Sequence, residues 1–132
     1  MVEEILVGNS LTSEMIDSGI ELIRLLDNNK FGIDAALWLY LPDISQWRLV
    51  LAMPKVNSRG PKSAYKKVQS VLNNMPTPKL SLQNIHILDS TDKFIALLKL
   101  GIRTGDGISG IRFTSNTING ILIEDAYIYR LL

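Results

Sequence analysis

The chain has 132 residues, 46% of them apolar and 20% charged, with no cysteine and a formal net charge of +1. These values fit a single globular domain, long enough for one independent core. They exclude a disulfide framework, a cysteine nucleophile and a cysteine-ligated metal or haem centre, and no apolar run approaches the ~20 residues of a membrane span.

The opening Met1-Val2-Glu3-Glu4 carries no basic stretch followed by an apolar run, so cytoplasm is the expected compartment. The near-zero net charge hides an asymmetry. Residues 1–50 hold eight acids against three bases, and residues 51–132 hold five acids against eleven bases. Lys55, Arg59, Lys62, Lys66, Lys67 and Lys79 fall between positions 51 and 80 with no acid among them. Such a segment attracts phosphate, or an acidic partner such as the acidic half of a second copy.

Residues 1–10 read as either a loose arm or a short edge strand near Glu4–Val7. Thr12 to Asn28 has the apolar spacing of a helix, with Ile16, Ile20 and Ile23 on one stripe beside Met15, Leu22 and Leu26. Thr12 is its expected cap, and Asn28, Asn29 and Gly32 its expected stop.

Residues 33–41 and 46–53 are the centre of the chain. Ala35 to Leu41 is apolar at every position, and Leu49 to Met53 nearly repeats this. A strand apolar on both faces is covered on both faces. Pro42-Asp43-Ile44-Ser45 joins the two, so antiparallel pairing is the simplest reading. Trp38 and Trp47 read as core anchors, the competing reading being a base-stacking platform beside the basic segment.

Residues 54–61 read as a loop, and Gly60-Pro61 as the start of a second helix reaching about Asn74. Ala64, Val68, Val71, Leu72 and Met75 mark its inner stripe, and Lys62, Lys66, Gln69 and Asn73 its outer face. Asn84–Leu88 is a short strand. A third helix follows over about 91–100, capped by Asp89 or Ser90, with Phe94, Leu97 and Leu98 inward. After the glycine-rich stretch 105–110, Asn119-Gly120 lies between two strand-like runs, 111–118 and 121–130, the strongest short-range hairpin signal. The expected fold is therefore α+β: a mixed, largely antiparallel sheet of about five strands packed with three helices, in the order α-β-β-α-β-α-β-β.

Three places carry candidate chemistry. Arg59, Lys62 and Lys66 gather at the start of the second helix, where free N–H groups and the helix dipole favour an anion; Arg103 is the expected fourth member. No Walker loop is present, and solvated charge is the competing reading. The C-terminal hairpin, closed by a two-residue turn, sets Thr114 opposite Asp125 and Arg112 opposite Tyr127, all on one face. Arg112, Asp125 and Tyr127 there could orient a carboxylate or phosphate, or simply form a cross-strand ion pair. Glu124 falls on the other face among apolar neighbours, half-buried, and is a candidate acid/base group. The third place, 103–107, resembles a phosphate loop in composition only, because it follows a helix and precedes a strand. His86, the sole histidine, reads as structural, and the spacing of Asp89, Asp92, Glu124 and Asp125 suggests caps and pairs before a Mg²⁺ site.

No pattern specifies a reaction, a metal or a cofactor. The expected function is a small cytoplasmic interaction or regulatory module without catalysis, its partner a second copy or another protein. The alternative is a binder of phosphate ligands or nucleic acid through the basic 55–67 segment. A third reading is a small hydrolase-like enzyme built on the hairpin carboxylates and Arg112.

Overall fold

The computed structural model describes residues 10–76 and 80–132. The arm or edge strand read at the N-terminus, apart from Ser10, lies outside them, as does Lys79. In chain order the elements are α1 (Ser13–Asn28), β1 (Ala35–Leu41), β2 (Gln46–Met53), α2 (Val56–Arg59), α3 (Pro61–Asn73), β3 (Ile85–Asp89), α4 (Lys93–Gly101), β4 (Ile111–Ile118) and β5 (Ile121–Leu131). The fold is α+β, in the element order expected from the sequence.

The five strands form one sheet, ordered β3-β2-β1-β5-β4. β2 and β3 run parallel, and the other neighbours are antiparallel. β1 is the middle strand, which explains its unbroken apolar run. Its Ala36 and Trp38 join the core under α1 and α3, while its Ala35 and Leu37 join the core under α4. Both faces of the sheet are covered, and the fully buried β1 side chains alternate between two cores.

Local signals account for most of the element ends. Thr12 caps α1, its hydroxyl accepting from the Met15 N–H at 3.1 Å. The stripe of α3 is buried at Ala64, Val68, Val71, Leu72 and Met75. Asn119 and Gly120, at φ +49° and +82°, make the tight turn between β4 and β5.

Several expectations are corrected. The stretch read as a loop before α3 contains a helical turn, α2, because the Asp89 carboxylate accepts the Asn57 N–H at 2.8 Å and pins that turn to the end of β3. Asp89 is thereby committed to α2, so Asp92 caps α4 through the Phe94 N–H at 2.8 Å. Ile95 joins Leu98 as an innermost residue of α4, with Phe94 and Leu97 only partly buried. After α1 both Lys30 (φ +58°) and the expected Gly32 (φ +70°) are left-handed, while Asn29 stays right-handed at φ −88° and binds the Leu25 carbonyl through its side chain. Trp38 and Trp47 are 1% and 6% exposed, which removes the base-stacking platform and leaves the core reading.

A register shift ties β5 to α1. Ala36 pairs with Arg130 and Leu37 with Ile128, so Tyr129 is an extra residue, a β-bulge. The bulge lets Tyr129 and Arg130 both reach α1. The Tyr129 hydroxyl donates to the Ile16 carbonyl at 2.7 Å and accepts from Trp38 Nε1 at 3.0 Å. Arg130, 4% exposed, holds both carboxylate oxygens of Asp27 at 2.9 and 2.8 Å and also donates to the Ile33 and Gly107 carbonyls. Asp27 keeps the Arg130 guanidinium firmly protonated.

Candidate anion-binding site

The parallel pair β2–β3 is joined through α2 and α3, which places the start of α3 just beyond the C-terminal end of β2. In sheets with parallel strands that end is where ligands gather. α3 begins with Gly60 as its N-cap, without a side-chain cap, followed by Pro61, and no acid lies in its first turn. α1 and α4, by contrast, are capped by Thr12 and Asp92. The first-turn N–H groups of α3 therefore face outward beside a positive dipole end.

Around this helix start is a cleft of about 210 Å³. Its bases are Lys30 from the end of α1, Lys55 and Arg59 from either end of α2, and Lys67 from the second turn of α3. Ser63 adds a hydroxyl, Phe31, Met53 and Val56 form the apolar wall, and among the described residues no acid is in the lining. The Lys67 ammonium lies 6.0 Å from the centre of the Phe31 ring, a long cation–π contact. Asp89, the acid tied to α2, is turned to backbone: it accepts the Asn57, Thr91 and Thr91-hydroxyl hydrogens. Those bonds, the one from Asn57 foremost, hold its carboxyl below the usual aspartate range.

Of the residues expected here, the structure brings in Arg59. Lys62 and Lys66 are exposed on the outer face of α3 and are not part of the cleft. Arg103 is exposed on the segment after α4, whose next residue, Thr104, donates its N–H to the Leu131 carbonyl and accepts the Leu131 N–H on its hydroxyl. The 103–107 stretch thus lies along the end of β5, and the Gly107 carbonyl is taken by Arg130.

The hairpin candidates do meet. Thr114 faces Asp125 and Arg112 faces Tyr127, as the Asn-Gly turn dictates. Arg112 grips Asp125 with two hydrogen bonds of 2.6 Å, and Thr114 Oγ1 reaches the same carboxylate at 3.3 Å. The guanidinium also stands 5.5 Å from the centre of the Trp47 ring, which packs against Tyr40. Arg112 lowers the carboxyl pKa of Asp125, and Asp125 raises that of Arg112. An acid held this firmly as a carboxylate is no proton donor near neutral pH. The Tyr127 hydroxyl lies against Gly110, where an added Cβ would sit 2.4 Å from it. Ser115 departs to φ +46°, and the ladder passes over Ser115 and Glu124. Glu124 is consequently exposed rather than half-buried, and it lines a hollow with Tyr40, Trp47 and Asp125.

No family model, curated protein or solved structure matches this chain. The reading of the site therefore rests on its geometry.

His86 is exposed, on the α4 side of β3. With Arg48, Asp92 and the apolar Leu39, Leu88 and Phe94 it lines a hollow of about 340 Å³ where α4 leaves part of the sheet open. Among the described residues no group of three or more His, Asp or Glu side chains is placed to hold a metal ion. Asp92 caps α4 and Asp125 is an ion-pair partner, while Asp89 holds α2 instead of capping α4 as its spacing suggested. No helix among the described residues is long and apolar enough to cross a membrane.

Sequence reasoning missed Lys30 as a partner of Arg59, and treated Lys55 and Lys67 only as part of the basic run. Lys30 sits 29 positions before Arg59 in sequence and joins it only because α1 packs beside α3. Lys67 carried a signal, since it lies four residues after Ser63, one helical turn along the same face.

Proposed function

We propose that this chain is a non-catalytic binding module for a phosphate-bearing anion held between Lys30, Lys55, Arg59 and Lys67. One observation carries the reading: four basic side chains from three separate stretches converge on one concave surface that no acid among the described residues lines. Like charges gathered without a counter-charge repel one another, and a bound anion relieves that repulsion. Bases on a protein surface are usually dispersed among acids, so convergence of this kind supports a ligand over mere solvation. The outward N–H groups at the start of α3 add donors of the right polarity. A cytoplasmic setting, where phosphate compounds abound, belongs to the same reading.

Titration of ¹⁵N-labelled protein with pyrophosphate at low salt tests it. Amide shifts should cluster at residues 30–31 and 55–67 and weaken as salt rises. Arg59→Glu with Lys67→Glu should abolish them, while Lys62→Glu with Lys66→Glu should leave most of the response. Scattered shifts, or equal loss in both double variants, would count against the cleft.

A second reading has its own observation. The hollow beside α4 is apolar in its floor and carries Arg48 and Asp92 on its rim. A rim bearing both signs suits a second copy in two-fold contact, Arg48 of one facing Asp92 of the other. Sedimentation would support a homodimer if Leu88→Lys dissociated it. A monomer at high micromolar concentration removes this reading.

A further inference from the structure

The cleft does not end at its basic residues. Phe31 and Lys67 also form the near wall of a second hollow, of about 300 Å³, between the end of α1 and the outer turns of α3. Its remaining lining is Leu25, Asn29, Ser70, Val71 and Asn74. The two hollows are thus neighbours, divided by Phe31 with the Lys67 ammonium near its ring. Their chemistries differ. Among the described residues the first has four bases, while the second has apolar walls, two amides, a hydroxyl and no charge beyond the shared Lys67.

From this pairing we infer that the ligand is a mononucleoside phosphate. Its phosphates lie among Lys30, Lys55 and Arg59, and its base lies past Phe31, between Leu25 and Val71. The inference rests on the anion reading above and deepens it. A nucleobase is a flat, uncharged group with an apolar face and a hydrogen-bonding edge. Leu25 and Phe31 offer it surface above the buried Val71, and the amides of Asn29 and Asn74 offer donors and acceptors to its edge. The Asn29 amide nitrogen already donates to the Leu25 carbonyl at 2.7 Å, which fixes the plane of that amide. Lys67, at the divide, sits where base, sugar and phosphate meet. A nucleic-acid strand fits less well, because it needs bases strung along a track. Here Lys62 and Lys66 lie on the outer face of α3, outside both hollows.

Calorimetric titration with ATP, CTP and inorganic tripolyphosphate separates the two levels of the argument. A nucleoside triphosphate should bind about tenfold tighter than tripolyphosphate, the order expected from stacking one base. Ser70→Leu, at an exposed helix position, fills the second hollow and should bring ATP and CTP down to the tripolyphosphate level while leaving tripolyphosphate unchanged. Asn74→Ala should narrow the gap without altering tripolyphosphate. Equal affinities for all three ligands in the native protein, or no response to Ser70→Leu, would overturn the nucleotide and leave the anion site standing. A short single-stranded oligonucleotide binding more tightly than either nucleotide would likewise overturn it. If tripolyphosphate and nucleotides both fail to bind, the anion site falls as well.

Discussion

Lys30 and Lys55 both adopt left-handed backbone conformations, at φ +58° and +67°, and both line the basic cleft. For a residue with a Cβ that conformation costs roughly 1–2 kcal/mol, and glycine there avoids the clash. On the anion reading, the charge of these two lysines is kept at a cost in stability that glycine would avoid. Lys55→Gly should therefore leave stability, read from thermal unfolding, unchanged or raise it by up to about 1 kcal/mol once the flexibility of glycine is counted, while weakening pyrophosphate binding. Arg130 shows the opposite economy. Its guanidinium is buried, and Asp27 neutralises it. Asp27→Ala strands that charge and should cost about 2–4 kcal/mol in urea unfolding, the partial exposure of Asp27 holding it below the largest such losses. Asp89 and Asp125 both contribute to the acid side of the stability profile. Both folded-state pKa values are depressed, so their contribution is present above the unfolded-state value near ~3.9 and is lost as pH falls through the folded values. Asp89→Asn should flatten the stability slope below about pH 4. At this scale the hairpin partners were legible because a two-residue turn fixes every pairing behind it. Lys30 was not, because its place depends on how two helices dock.

Elements were legible where periodicity and capping agree. α1 and α3 lie within a residue of their expected limits, and the β4–β5 register follows from Asn119-Gly120. The ends of α2 and α4 were not, because one side chain decides both. Once Asp89 turns to the Asn57 N–H, a long-range choice, it is unavailable to start α4. The bulge in β5 was also hidden, since nothing in Ala126–Leu131 announces that Tyr129 and Arg130 share a side. Its packing partner on α1 is Gly19, where an added Cβ would sit 2.4 Å from the Tyr129 hydroxyl. Helix propensity alone would favour alanine at this position. Gly19→Ala should instead destabilise the protein by about 1–3 kcal/mol, because it pushes Tyr129 off both Ile16 and Trp38. Pairing that variant with Tyr129→Phe in a double-mutant cycle should show strong coupling.

For the molecule as a whole, the apolar doublet β1–β2 at the heart of the sheet was readable from composition and position. The strand order was not: a sequence cannot say that β5 returns beside β1, or that β3 lies parallel to β2. Yet that topology makes the site. The parallel pair forces a crossover, the crossover sets α2 and the start of α3 at one end of the sheet, and α1 brings Lys30 alongside. A ligand that binds only the folded form raises stability in proportion to the logarithm of its concentration over its Kd. The most direct measurement is therefore thermal unfolding at low salt with and without saturating pyrophosphate, on the native chain and on Lys55→Ala with Arg59→Ala. The native chain should gain roughly 5–10 °C, and the double variant should gain almost nothing while unfolding at a similar temperature without ligand. An equal gain in both proteins, or no gain in either, would contradict an anion site at this cleft.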